Sequence, residues 1–223
     1  MQGLTWEPPR YRFASTLPFI PAEAEIDALI AGCEPKNSTF LQLLKETGMR
    51  AGEAHRLQWV DIDFETGTIR VTPEKGSKPL IFKLSNKLLN MLSKLRDKSV
   101  SKQVFSKHLR TQRRLFQKQR ATIARRLQNP RLFQIHFHTI RHWKATTLYH
   151  QTKNILFVKN FLGHKNIKNT ETYIQLEEAL FKNENEEFIC KVALSIEEAK
   201  TLIEAGFDFV CEFNEAKMFR KRK

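Results

Sequence analysis

Between Lys98 and Thr170 the chain contains no aspartate or glutamate. The same stretch holds 17 of the 38 lysines and arginines, leaving 21 against 24 acidic residues elsewhere, so the whole net charge of +14 resides there. A solvated helical surface ordinarily interleaves both signs. Leaving out carboxylates over this length points to a surface that lies against a polyanion. Nucleic acid fits better than a membrane surface, because no broad apolar face accompanies the charge. Cysteine is also scarce. Cys33, Cys190 and Cys211 lie far apart with no C-x-x-C pair, which argues against a disulfide framework or a zinc site and fits reduced thiols in a cytoplasmic protein. No run approaches 18 apolar residues, so no membrane span is expected, and the N-terminal "MQGLTWEPPRYRF" lacks the apolar stretch of a secretory signal. There is no P-loop or other nucleotide signature and no internal repeat. What remains is a chain of 223 residues with 41% hydrophobic content and 17 phenylalanines, enough for a core.

The hydrophobic pattern predicts a mainly helical α+β protein. Residues 1–17, with Pro8 and Pro9, read as an extended lead-in. Helices are expected over "PAEAEIDALIAGC", from about Ser38 to Thr47, and from Ala51 through Leu57 and Trp59. The period then changes to two around Ile69 and Val71. "EKGSK" is turn chemistry and "PLIFKL" a second strand, giving a small hairpin or three-stranded sheet. Further helices follow in "NKLLNMLSKLRDK", in the basic "SKHLRTQRRLFQKQRATIARRL" with Leu109, Leu115, Phe116, Ile123 and Leu127 as its apolar side, in "HTIRHWKATTLYHQT", in "NILFVKNFLGH" and over 170–180. Residues 185–223 read as a separate β-α-β-β appendage, with Ser195 and Glu198 as the capping pair of its helix. The main domain is expected over 18–180.

Several side chains could carry chemistry, though each has an ordinary reading. His138 and Arg141 in "HTIRH" share a helix face. His138 and His142 have a zinc-compatible spacing, but no glutamate or cysteine pair accompanies them, so no metal is expected. Arg50 in "TGMRAGE" taken alone is an N-terminal helical arginine paired to Glu53, and Lys75 a solvated turn lysine with Lys78 as its competitor. Together they suit phosphodiester chemistry. Two guanidiniums match the non-bridging oxygens of a phosphate, imidazoles donate or move protons, a lysine can protonate a leaving oxygen, and a tyrosine hydroxyl can attack phosphorus.

The ordered set Arg50, Lys75, His138-x-x-Arg141, His164 in "LGH" and Tyr173 nine residues later resembles the tyrosine recombinases, the phage integrase family. "TGMRAGEAHRLQWVDID" and "NFLGHKNIKNTETYIQ" carry the likeness over about residues 18–180. "HKNIKNTETY", "FRKRK" and "EEAKTLIEAGF" look most similar to archaeal members, including virus and plasmid integrases of mobile elements.

The resemblance implies site-specific cutting and rejoining of double-stranded DNA through a 3′-phosphotyrosyl link, without metal or cofactor. Arg50 and Arg141 would clamp the phosphate, His164 would donate to it, and His138 would act as base or phosphate ligand. Lys75 would be the general acid, Tyr173 the nucleophile and Glu53 a support. Thr139 departs from the aspartate many members carry there, which questions the local helix cap. Lys78, Lys107, Arg110, Arg113, Arg114, Arg125, Arg126, Lys144 and Lys165 are expected to meet DNA. "KNIKN" is expected to tether a movable tyrosine helix. The expected partners are a tetramer on paired sites and, further, a full-length integrase or accessory DNA-bending proteins. The family's N-terminal clamp domain has no counterpart before residue 18, so a truncated chain or a clamp from another chain is expected. Two other readings share these residues: a type IB topoisomerase-like nicking-closing enzyme, and a non-catalytic truncated integrase that only binds DNA.

Overall fold

A computed structural model describes residues 17–222 apart from 75–76, 106–107, 182–187 and 214–215. The chain packs as two units, the first ending at Lys144 and the second starting at Ala145.

In the first unit, α1 (Glu23–Gly32) opens where the Ala22 N–H donates to the Glu25 carboxylate at 2.9 Å, and Arg131 bridges that carboxylate at 2.9 Å. α2 (Pro35–Thr47) starts ahead of the expected Ser38, because a proline at the first helical position has no N–H to leave unpaired. It is the central helix: Phe40, Leu41, Leu43 and Leu44 are wholly buried. α3 (Ala51–His55) is shorter than expected and stops before Leu57 and Trp59. The Trp59 N–H donates to Lys102 O and the Val104 N–H to Leu57 O, so this backbone is committed to a neighbouring segment instead of a helix. β1 (Ile62–Asp63), β2 (Thr68–Val71) and β3 (Leu80–Lys83) form an antiparallel sheet in that order, with Ile69 opposite both Ile62 and Phe82. All three of those side chains are buried. α4 (Asn86–Arg96) is capped by Ser85, and α5 (Leu109–Arg126) packs on α1, α2 and α3.

The buried side of α5 differs from the expected one. Gln112, Phe116, Arg120, Ile123 and Ala124 face inward, whereas Leu115 and Leu127 are exposed. Polar residues can hold the buried stripe because each finds a partner. Gln112 donates to Asn37 Oδ1 at 2.7 Å, Asn37 donates to Gln119 at 2.8 Å, and Arg120 donates to Ile135 O. Phe116 stacks on Phe137 at 4.9 Å, and Phe137 meets Phe40 at 4.9 Å.

α6 (Phe137–Thr152) begins in the first unit and ends in the second. The second unit continues with α7 (Ile155–Phe161) packed on α8 (Lys168–Phe181). β4 (Phe188–Ala193), α9 (Ile196–Glu204), β5 (Asp208–Phe213) and β6 (Ala216–Arg222) follow, the strands pairing antiparallel in the order β4-β6-β5. Ala193, Leu202, Phe207 and Phe219 make the small core between α9 and this sheet. Ser195 caps α9 by accepting from the Glu198 N–H at 3.1 Å, and the Glu198 carboxylate accepts from the Leu194 N–H at 2.8 Å. Among the described residues no helix is long and apolar enough to cross a membrane.

Candidate active site

The junction between α2 and α3 is the first anchor. Gly48 ends α2 in the left-handed region, at φ 61°, where a side chain would be strained, and its N–H returns to Leu44 O at 2.8 Å. Arg50 is then the N-cap of α3. Its N–H donates to the Glu53 carboxylate at 2.8 Å, and its guanidinium reaches Glu53 at 3.4 Å and the Ser77 hydroxyl. Glu53 is buried and also accepts from the Glu74 N–H at 3.3 Å. It therefore orients both Arg50 and the start of the turn after β2. Arg141, only 2% exposed, donates from Nη1 to Gly48 O at 2.7 Å. Residues far apart in sequence thus bring two guanidiniums to one backbone junction.

An open cleft of about 520 Å³ lies beside this junction, lined by Arg50, Gly52, Glu74, Arg113, His136 and His138 among others. At Gly52 a Cβ would stand 1.9 Å from the Glu74 carboxylate, which Arg56 holds at 2.9 Å, so a side chain there would displace Glu74 from this ion pair. Burial, then the charges of Arg141 and Arg50, hold the His138 imidazole below its usual pKa. His138 is thus neutral near pH 7 and able to accept a proton. It packs edge-on to His142 at 4.5 Å, and burial, His138 and Arg141 bring His142 down to about 4. Among the described residues no three His, Cys, Asp or Glu side chains gather as a metal cage.

Thr139 resolves the question of the helix cap. Its hydroxyl accepts from the His136 N–H at 3.1 Å, the bond that an acidic side chain at this position supplies in a capping box, and its own N–H donates to His136 O at 3.1 Å. Thr139→Val should lower stability by about 1 kcal/mol and Thr139→Asp should recover most of that, as read from denaturant midpoints.

Of the residues expected to meet DNA, Arg110, Arg113, Arg114, Arg125 and Arg126 are exposed on α5 and Lys78 is exposed beyond Ser77. Only Arg113 of these lines the cleft. Arg126 is directed at Gly32, where its terminal nitrogen lies 3.1 Å from where a Cβ would stand. Lys144 is half-buried, and desolvation outweighs Glu46 and Glu23 in lowering its pKa. Lys165 is exposed. Lys75 and Lys107 lie outside the described residues.

The second unit places His164 and Tyr173. α7 ends in a Schellman motif: the Gly163 N–H donates to Asn160 O, the His164 N–H donates to Lys159 O, both at 3.0 Å, and Gly163 has φ 67°. "LGH" is therefore a helix stop that fixes the His164 backbone. The His164 ring is buried with Nδ1 3.0 Å from the Thr170 hydroxyl, a partner that sequence reading missed. The expected tether is shorter than "KNIKN" suggests, because Asn166 caps the Lys168 N–H at 3.0 Å and starts α8 there. Tyr173 is in the second turn of α8, 3% exposed. One turn on, Glu177 accepts from His150 at 2.9 Å and from Lys153, and these two bonds hold its carboxyl below the usual range.

The Phage integrase family profile matches residues 22–179. A tyrosine recombinase of Thermosipho africanus is 29% identical over 194 residues, covering 79% of this chain and 65% of that protein. The tyrosine recombinase XerA of Saccharolobus solfataricus is 28% identical over 156 residues, covering 69% and 51%. The chain thus spans between half and two thirds of the length of these relatives. In fold it is similar to the crystal structure of XerA recombinase, with a TM-score of 0.61, 22% identity and coverage of 80% of this chain and 67% of that one. It is also similar to the catalytic domain of bacteriophage HP1 integrase, with a TM-score of 0.54, 24% identity and coverage of 75% and 96%. With the profile spanning most of the sequence and the fold agreeing, the chain belongs to the phage integrase family.

Proposed function

We propose that the chain is the catalytic part of a tyrosine-type site-specific DNA recombinase. The observation that carries this reading is the anchoring of buried Arg141 on Gly48 O, two residues from Arg50, beside a basic cleft. Two always-charged forks at one junction suit the non-bridging oxygens of a phosphodiester. In the reaction, the Tyr173 hydroxyl attacks phosphorus, its proton passes to neutral His138, and the bond to the 5′-oxygen breaks as Lys75 protonates that oxygen. Arg50, Arg141 and His164 stabilise the charge that develops on the non-bridging oxygens. Reversal by a second 5′-hydroxyl rejoins the strand.

The partners of this reading are double-stranded DNA and further copies of the chain in a tetramer on two paired sites, with accessory DNA-bending proteins. The compartment is the cytoplasm, and the source an archaeal mobile element. The XerA likeness from Saccharolobus solfataricus supports that source. Nicked duplexes of randomised core sequence, which let the 5′-end diffuse away, test the chemistry. A protein–DNA adduct stable to detergent is expected, and no adduct from any member of the pool overturns the reading. Exchange between two copies of the selected site, without relaxation of a plasmid lacking it, separates recombinase from nicking-closing enzyme.

A further inference from the structure

The cleft contains a histidine that no motif marks. His136 is the N-cap residue of α6, its backbone held by Thr139 on both sides and its side chain exposed where Arg50, Arg113 and His138 also line the cleft. Its Nδ1 stands 3.1 Å from Nη1 of Arg120. Arg120 is buried, and the same nitrogen also donates to Ile135 O, which fixes this end of the guanidinium. An arginine has donors only and keeps its proton. His136 Nδ1 must therefore be the acceptor, and the single ring proton resides on Nε2, across the ring from Arg120. A proton added at Nδ1 would set N–H against N–H. Partial desolvation at the cleft wall, then the charges of Arg120 and Arg113, keep the His136 pKa below its usual value.

A neutral N–H donor of fixed tautomer adds what the arginines of this cleft do not supply. The arginines supply charge and counterion release, whereas a neutral donor supplies direction only. We propose that His136 is a phosphate-contacting residue: held as the Nε2–H tautomer by Arg120, it donates to a non-bridging oxygen of a DNA phosphodiester in this cleft. The proposal rests on the DNA reading above and deepens it.

The full chain and a short mixed-sequence duplex test it, with affinity measured between ~50 and ~200 mM salt at near-neutral pH. The wild type should bind with a steep salt slope. His136→Ala should bind about tenfold more weakly at each salt with the slope unchanged, because a neutral donor releases no counterion. His136→Gln keeps an N–H donor and should recover much of the loss. Arg113→Ala should instead lower the slope by about 0.9. In the free protein, ring ¹⁵N shifts should place the His136 proton on Nε2. Normal wild-type binding with an unaffected His136→Ala, a His136→Ala slope that falls as in Arg113→Ala, or a proton on Nδ1 each overturn the proposal alone. A wild type with no salt-dependent binding overturns the DNA reading and this proposal with it.

Discussion

Tyr173→Phe is expected to reduce the covalent protein–DNA adduct to background, a loss on the order of 10⁴-fold or more in cleavage rate, while leaving DNA affinity nearly unchanged. The substitution removes one oxygen. If that oxygen is the attacking atom, no residual pathway makes the adduct. If Tyr173 is instead a core aromatic, the ring survives and activity should survive with it. Its 3% exposure makes the second reading a real competitor, since the side chain is enclosed in this conformation. A lost hydroxyl contact would cost about 1 kcal/mol, far too little to explain the loss of all adduct. The assay is the nicked duplex selected with the wild type, with the adduct resolved in detergent and stability followed by denaturation. Equal adduct from both proteins sinks the assignment. The search then narrows quickly, because only two other tyrosines exist, Tyr11 and Tyr149.

Much of the scaffold around this chemistry is legible from local rules. Gly48 and Gly163 mark helix stops, Ser195 and Glu198 mark a helix start, and the change to period two around Ile69 marks the sheet. Each depends on residues within one or two turns. The illegible parts depend on distant partners. Arg120 lies in the carboxylate-free segment and would be assigned to DNA by charge, yet it is buried because Ile135 O and His136 Nδ1 receive it. Leu115 and Leu127 lose the inner face of α5 to Gln112 for a similar reason, since Asn37 on α2 supplies its hydrogen bond. Within the candidate site, Arg50, Glu53, His138 and Arg141 are found by motif, and the i,i+3 pairing of Arg50 and Glu53 is visible in sequence. Ser77, Thr170 and His136 are not, because nothing in the chain near them announces a bond to Arg50, to His164 or to Arg120. The enclosure of Tyr173 is likewise a property of packing, and a tether counted in residues does not reveal that α8 already begins within it, at Lys168.

Replacing Arg141 should separate what it does for the fold from what it does for the phosphate. Among the described residues Arg141 is one of the largest fully buried side chains, and it satisfies the Gly48 carbonyl at the point where α2 stops. Arg141→Ala leaves that carbonyl without its charged donor and opens a cavity, for a cost of about 2–4 kcal/mol. It should also cut the cleavage rate by about 10²–10³-fold, the usual scale for one lost charge-stabilising donor. Instability alone could imitate the second effect, so Arg141→Lys is the informative variant. A lysine keeps the charge and can still donate to Gly48 O, but it lacks the planar fork that meets two phosphate oxygens. Stability should recover more fully than rate. The two variants should also differ at His138, whose pKa is held down by burial and then by the charge of Arg141. Arg141→Ala should let it rise towards its usual value, whereas Arg141→Lys should not. Single-turnover cleavage, denaturant midpoints and histidine ring titration read the three quantities separately. Cleavage by Arg141→Lys within about twofold of the wild type would mean that charge alone suffices and that the bidentate clamp is not the source of rate.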